Sequence, residues 1–327
     1  MATTGRNIRR RTALAALGGS LLSACTNESR PDPAASVPPN APPSAPPAAL
    51  PGAAAYRASP GEVEPACKNA AVAAVTAALT WQPGQPARAL DDRLRQAGAT
   101  PSLAPDLYAL VDDHLTSTLE VVYPQYGGLG RGRRDASVMI VARQTWRTAA
   151  GATPQTRELT IDVRLRHANR RWAAESASVS APPPLAASLD AATRRLLGND
   201  GVVLPAAARA DLLSGAIDPR LVRVLGALSR TWRIHVQVLR SGHPRNVYGT
   251  ARLSNHTRGQ AVDVWAIDDI PVIEQRASVA SAVMRQAAAA GADEIGGPLD
   301  PDGRNGRPPY FTNDVHKDHI HVGFEVR

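Results

Sequence analysis

The spacing of apolar positions changes several times along the chain, and each change predicts an element. From residue 67 to about 95 the spacing is helical: Val72, Val75 and Leu79 share one stripe of an Ala-rich run, Pro83-Gly84 interrupts it, and a second amphipathic piece follows. Residues 119–123, 137–146 and 157–166 then read as β-rich or alternating strands, and Asn169-Arg170-Arg171-Trp172 reads as a hairpin turn entering a last strand that runs to Val179. Between the first two of these strands, residues 127–132 (GGLGRG) have no Lys-Ser/Thr after them and lead into a strand, so they read as a flexible loop and not a phosphate loop.

The pattern breaks at Ala181-Pro182-Pro183-Pro184, which marks a domain boundary. Beyond it Asp218-Pro219 starts a helix, Asp as cap and Pro in the first turn, with Leu221, Val224, Leu225 and Leu228 as its buried face. Residues 233–239 alternate as a strand. A long Ala-rich helix runs from about Ile273 to Gly291, and residues 320–326 close the chain as a strand. Helices followed by a meander of strands, then a second mixture of both, predict an α+β fold.

Residues before 62 belong to neither domain. Residues 6–25 are a basic stretch, an apolar run of about a dozen residues and then small residues, the layout of a secretory signal peptide too short to span a bilayer. Arg10-Arg11-Thr12-Ala13-Leu14 is similar to a twin-arginine signal, without the usual Phe and downstream Lys, so general export stays open. Leu22-Ser23-Ala24-Cys25 resembles a bacterial lipobox, which implies that Cys25 is lipidated and begins the mature chain. Ten of the thirty residues from 31 to 60 are proline, so 25–61 reads as a lipidated, disordered tether. The expected organisation is a signal over 1–24, the tether, an α+β domain over 62–180 and a second domain over 185–327. Lipidation leaves Cys67 alone. A Cys25 to Cys67 disulfide is the alternative in an oxidising compartment. The expected location is the outer face of the cell membrane, in the cell envelope.

Charge changes this picture little. The formal net charge is +8, but Arg6, Arg9, Arg10 and Arg11 fall in the first 24 residues, which hold no acid, so cleavage leaves +4. There is no run of five basic residues, and no nucleic-acid partner is expected.

Candidate chemistry is concentrated at the end of the chain, where six of the eight histidines lie in the last 93 residues. Residues 254–263 (SNHTRGQAVD) fit S-x-H-x-x-G-x-A-x-D, and residues 316–321 (HKDHIH) end in D-H-x-H. A catalytic zinc needs three protein ligands and an open position for water, and two imidazoles with one carboxylate, His256, Asp263 and His321, supply a common set. Gly259 lets the chain turn tightly between the first two, and Ala261 keeps bulk away from the metal. Histidines two apart on a strand share a face, so His319 points into the same cavity as His321, placed to stabilise an oxyanion.

Together the two motifs resemble the zinc D-alanyl-D-alanine peptidases and their relatives of the Hedgehog/DD-peptidase fold, over roughly residues 220–327. The resemblance implies an antiparallel sheet with flanking helices, a Zn2+ cofactor and peptidoglycan stem peptides as substrate. It places the general base three residues before the last ligand, at Asp318, which in a regular strand would face away from His321. A bulge or a loop-to-strand junction is therefore expected there. Glu294 is the fallback base or a partner behind the ligands. The family's S-G-x-R is altered to Arg240-Ser241-Gly242-His243-Pro244-Arg245, so the carboxylate anchor is Arg240, Arg245 or absent, with Ser254 also facing substrate. His235, His243 and His316 are expected to pack, to bond locally or to line the cleft. Residues 62–180 are similar to the cone-shaped nuclear-transport-factor-2-like domains of exported actinobacterial lipoproteins and carry no evident chemistry. The functional expectation is a zinc-dependent hydrolase of peptidoglycan peptides, a carboxypeptidase or an endopeptidase. The alternatives are a non-catalytic module that binds wall peptide or protein, and a middle domain that recruits an envelope partner.

Overall fold

The computed structural model describes Leu50 and residues 55–85, 89–111, 115–304 and 306–325. The export signal, Cys25 and most of the tether lie outside these residues. The described residues form a mixed α+β fold built on two sheets.

Helix α1 (Pro65–Leu79) begins with proline in its first turn and buries Val75 and Leu79 together with Ala71, Ala74 and Ala78, whose small side chains let it lie close to the sheet beneath it. Short helices α2 (Leu90–Gln96) and α3 (Ala104–Leu107) follow. The first sheet is an antiparallel meander of β1 (Thr116–Leu129), β2 (Asp135–Arg147), β3 (Gln155–Ala168) and β4 (Arg171–Val179), paired in that order. Asn169 and Arg170 both take positive φ, 50° and 62°, the backbone that a two-residue hairpin requires to match the twist of its strands. Tyr56, in the segment expected as tether, packs against the core of this half.

The second half holds α4 (Ala191–Leu197), β5 (Val202–Val203), α5 (Ala206–Leu213), α6 (Pro219–Leu228), β6 (Ile234–Val238), β7 (Ala261–Ile267), β8 (Ile270–Pro271), α7 (Ala277–Ala289), β9 (Glu294–Gly296), β10 (Tyr310–Phe311) and β11 (Ile320–Gly323). The carboxylate of Asp218 accepts from the Arg220 amide at 2.8 Å, capping α6. Its sheet runs β10-β9-β11-β7-β6-β5, antiparallel from β9 to β6 and parallel at both edges, with β8 paired to β7. The apolar cores of the two halves are separate. Among the described residues no helix is long and apolar enough to cross a membrane.

The largest departure from the sequence-based expectation is β1, which extends through residues that read as a flexible loop. Register shifts at Val121/Tyr123 and Tyr126/Gly128 let the strand continue through Pro124 and the glycines. Gly128 is glycine because of a close approach, since a Cβ there would collide with the ring of Tyr248. Strand β1 is the edge of the first sheet and faces the second half. The Tyr123 ring stacks on Trp265, with centroids 4.7 Å apart, and Gln237 Nε2 donates to the carbonyls of Tyr123 and Met139 at 3.1 and 2.9 Å.

Candidate metal centre

The residues of the first motif are arranged by one tight turn. His256–Arg258 form a 3-10 turn that ends at Gly259 with φ 71°, and a Cβ at Gly259 would collide with the carbonyl oxygen of Ala216. The chain then enters β7, where Asp263 lies opposite His321 of β11. His256 Nε2 is 3.1 Å from Asp263 Oδ1 and 3.2 Å from His321 Nδ1, and His321 Nδ1 is 3.0 Å from Asp263 Oδ1. Three ligands bound tetrahedrally at zinc distances stand roughly 3.3 Å from one another, so this spacing suits a single ion.

The remaining polar atoms of the three side chains are engaged from behind. His256 Nδ1 donates to the Leu239 carbonyl at 2.5 Å, which leaves the Nε2 lone pair facing Asp263. His321 Nε2 faces Glu294 Oε2 at 3.4 Å, and Asp263 Oδ2 accepts from Gln125 Nε2 at 2.7 Å. Burial raises the pKa of Asp263, but the neighbouring charges of His256 and His319 and the hydrogen bonds from His256 and His321 outweigh it and hold this carboxyl well below the usual range. In the opposite direction, burial lowers the pKa of His321, yet its bonds to Asp263 and Glu294 lift it to about 9.

His243 also brings a ligand atom within 4.8 Å of His256 and Asp263, so a His-His-Asp group of this chain can hold a metal ion. Of the two histidines beside His256, His321 is the better directed. The His243 ring stacks on His256 at 3.9 Å and 10°, which sets their in-plane lone pairs parallel instead of convergent, and its Nδ1 donates to the Pro244 carbonyl at 2.8 Å. Burial and the nearby His256 push the His243 pKa well down, which keeps it neutral.

Asp318 sits where the sequence analysis expected a junction, between the 3-10 turn Asp314–Lys317 and β11. Its surroundings differ from those of a base facing a metal-bound water. The side chain is fully buried, Oδ1 accepts from His319 Nδ1 at 2.6 Å, and Oδ2 meets Lys68 Nζ of α1 at 2.6 Å and the Tyr126 amide at 3.0 Å. Burial would raise its pKa, and Lys68 and His319 more than reverse this. His319 is thereby turned with Nε2 toward the site, 3.8 Å from Asp263 Oδ1.

A cavity of about 310 Å³ opens over these groups, lined on one side by Tyr126 to Leu129 of β1 and on the others by residues of the second half, including Tyr248 and Phe311. Ser254 lines it, although its hydroxyl accepts from the His256 amide at 3.3 Å and so fastens the turn. Neither proposed carboxylate anchor does: Arg240 Nε donates to the Thr257 carbonyl at 3.2 Å, and Arg245 is exposed beside a separate hollow. Arg252 stands in the cavity wall instead, 3.9 Å from Glu294. Burial would raise the pKa of Glu294, but bonds from His321 and Asn255 and the charge of Arg252 bring it to about 2, which suits a holder of His321 better than a base. His316 lines the cavity near His319, whereas His235 lies away from it, with Nε2 2.8 Å from Asp269. Lys68, Gln125 and Arg252 belong to the site but stand outside both sequence motifs.

Compared with family models, curated proteins and solved structures, the chain finds no match.

Proposed function

We propose that this chain is a zinc-dependent peptidase of the cell envelope that hydrolyses peptide bonds in peptidoglycan stem peptides. In this reading residues 185–327 take a Hedgehog/DD-peptidase-like fold and residues 62–180 a nuclear-transport-factor-2-like one. The observation that carries it is the convergence of His256 Nε2, Asp263 Oδ1 and His321 Nδ1 within 3.2 Å of one another beneath an open cavity, each side chain held from behind. Bound there, zinc would polarise a carbonyl and make water acidic near neutral pH.

The chain's own residues supply the rest. His319, with its Nδ1–H held by Asp318, presents Nε2 to the space above Asp263, where it can take a proton from water or donate to an oxyanion. Asp318 then acts through His319, as the carboxylate behind an imidazole does in an acid–base pair. Arg252 at the wall can meet a substrate carboxylate, and Tyr126, Leu129 and Phe311 add apolar surface to the lining. The burial of Asp318 favours one alternative, a non-catalytic module that binds wall peptide in the same cavity.

The test is digestion of purified muropeptides by washed membranes of an exporting host that expresses the chain, followed by mass spectrometry. A new hydrolysis product is expected, and Cys25→Ser should move that activity to the soluble fraction. Intact muropeptides after prolonged incubation with zinc would favour the binding module, and activity still on the membrane after Cys25→Ser would remove the lipid anchor.

A further inference from the structure

The metal centre draws on the first half of the chain for one contact that the ligand motifs do not contain. Gln125 lies on β1, fully buried, and its Nε2 reaches across to donate to Asp263 Oδ2 at 2.7 Å. Its own Oε1 is buried with no hydrogen-bond partner among the described residues. A buried amide with an orphaned carbonyl is costly, and a leucine would fill the same space without that cost. The retained amide is explained by what its other end does. The carboxylate also settles which way the amide points, because Oε1 placed against Asp263 would set two acceptors together.

The consequence for the metal follows from the two oxygens of Asp263. Oδ1 faces His256 Nε2 and His321 Nδ1, while Oδ2 is occupied by Gln125. A carboxylate tied in this way binds an ion through one oxygen, so the protein supplies three ligand atoms and leaves a position open. With Oδ2 free, both oxygens can bind and that position is filled. The next residue of the same strand adds a second hold: the Tyr126 amide donates to Asp318 Oδ2, and the Tyr123 hydroxyl donates to the Asp318 carbonyl at 3.2 Å. The register shifts on either side of residues 123–126 deliver these groups to the second half together.

We infer that Gln125 is a positioning residue of the metal centre, contributed by the first half of the chain, and that it restricts Asp263 to one-oxygen coordination. This rests on the metal reading given above.

The experiment compares the full chain, Gln125→Leu and Gln144→Leu. Gln144 is an equally buried glutamine on β2 that donates to the Leu110 carbonyl and to Ser117 Oγ, away from the site. Zinc affinity is measured by competition with a chromogenic chelator, and the visible spectrum is recorded with Co2+ in place of zinc. Gln125→Leu should bind zinc about 10- to 100-fold more weakly. Its Co2+ spectrum should lose the strong absorption of a four-coordinate site for the weaker bands of a five-coordinate one, while Gln144→Leu changes neither. Unchanged affinity and spectrum in Gln125→Leu would overturn the inference with the metal reading intact, and so would an equal change in Gln144→Leu, which would point to general loosening of the fold. Failure of the unaltered chain to bind either metal would overturn the metal reading itself, and the inference with it.

Discussion

Replacing Lys68 with methionine lowers the stability of the folded chain by about 3–5 kcal/mol, because it removes the cation from a fully buried cluster and leaves carboxylates without it. Lys68 Nζ is 2.6 Å from both Glu62 Oε1 and Asp318 Oδ2, and the rings of Tyr126 and Tyr123 lie 4.7 and 5.1 Å beneath it. The two acids share this partner unequally. Asp318 has His319 and the Tyr126 amide as well, and its pKa falls; among the described residues the Glu62 side chain bonds only Lys68 and its Oε2 has no partner, and burial raises its pKa. In the variant Glu62 therefore takes up a proton first, and Asp318 carries most of the loss. Asp318 is a carboxyl whose folded pKa is depressed, so the stability it confers is present above the ordinary aspartate value near 3.9 and lost as pH falls through its lower folded value. Urea unfolding near pH 7 measures the effect. Adding Asp318→Asn to Lys68→Met should recover part of the stability, whereas a Lys68→Met chain as stable as the unaltered one would show that the pair is not buried in solution.

Replacing His319 with alanine should lower turnover of a cleaved muropeptide about 100- to 1000-fold and leave zinc content unchanged. The three converging atoms belong to His256, Asp263 and His321, and His319 stands beyond them, 3.8 Å from Asp263. It is therefore able to serve the reaction without holding the ion. Asp318→Asn should lower turnover as well, through loss of the charge that steadies His319. Zinc lost from His319→Ala would make it a ligand, and full turnover would remove it from the chemistry.

Much of the architecture can be read from local pattern, because the meander, its Asn169-Arg170 turn and the Asp218 cap each depend on residues close in sequence. Strand β1 could not be read this way. Its bulges and paired glycines look like a loop until the facing Tyr248 and Ser137 are known. Likewise the ligand triad and Asp318 are visible as motifs, while groups that hold Asp263 and Asp318 come from 138 and 195 residues away, Gln125 to Asp263 and Tyr123 to Asp318. Lys68 did leave a trace. It is one of two lysines in an arginine-rich chain and shares the helical stripe of Val72, Val75 and Leu79, where a charge needs a buried partner. Nothing near Lys68 in sequence identifies that partner as Asp318. The altered S-G-x-R segment points to Arg240 or Arg245, but the chain between residues 246 and 253 doubles back through an Asn246–Leu253 bridge and brings Arg252 to the wall.

Whether His256, Asp263 and His321 form one metal site is decided by zinc per chain in the purified mature protein, beside an Asp263→Ala control. One tightly held zinc is expected in the unaltered chain and none in the control after identical dialysis. No zinc in the unaltered chain after reconstitution, or the same zinc in both, would refute the shared site.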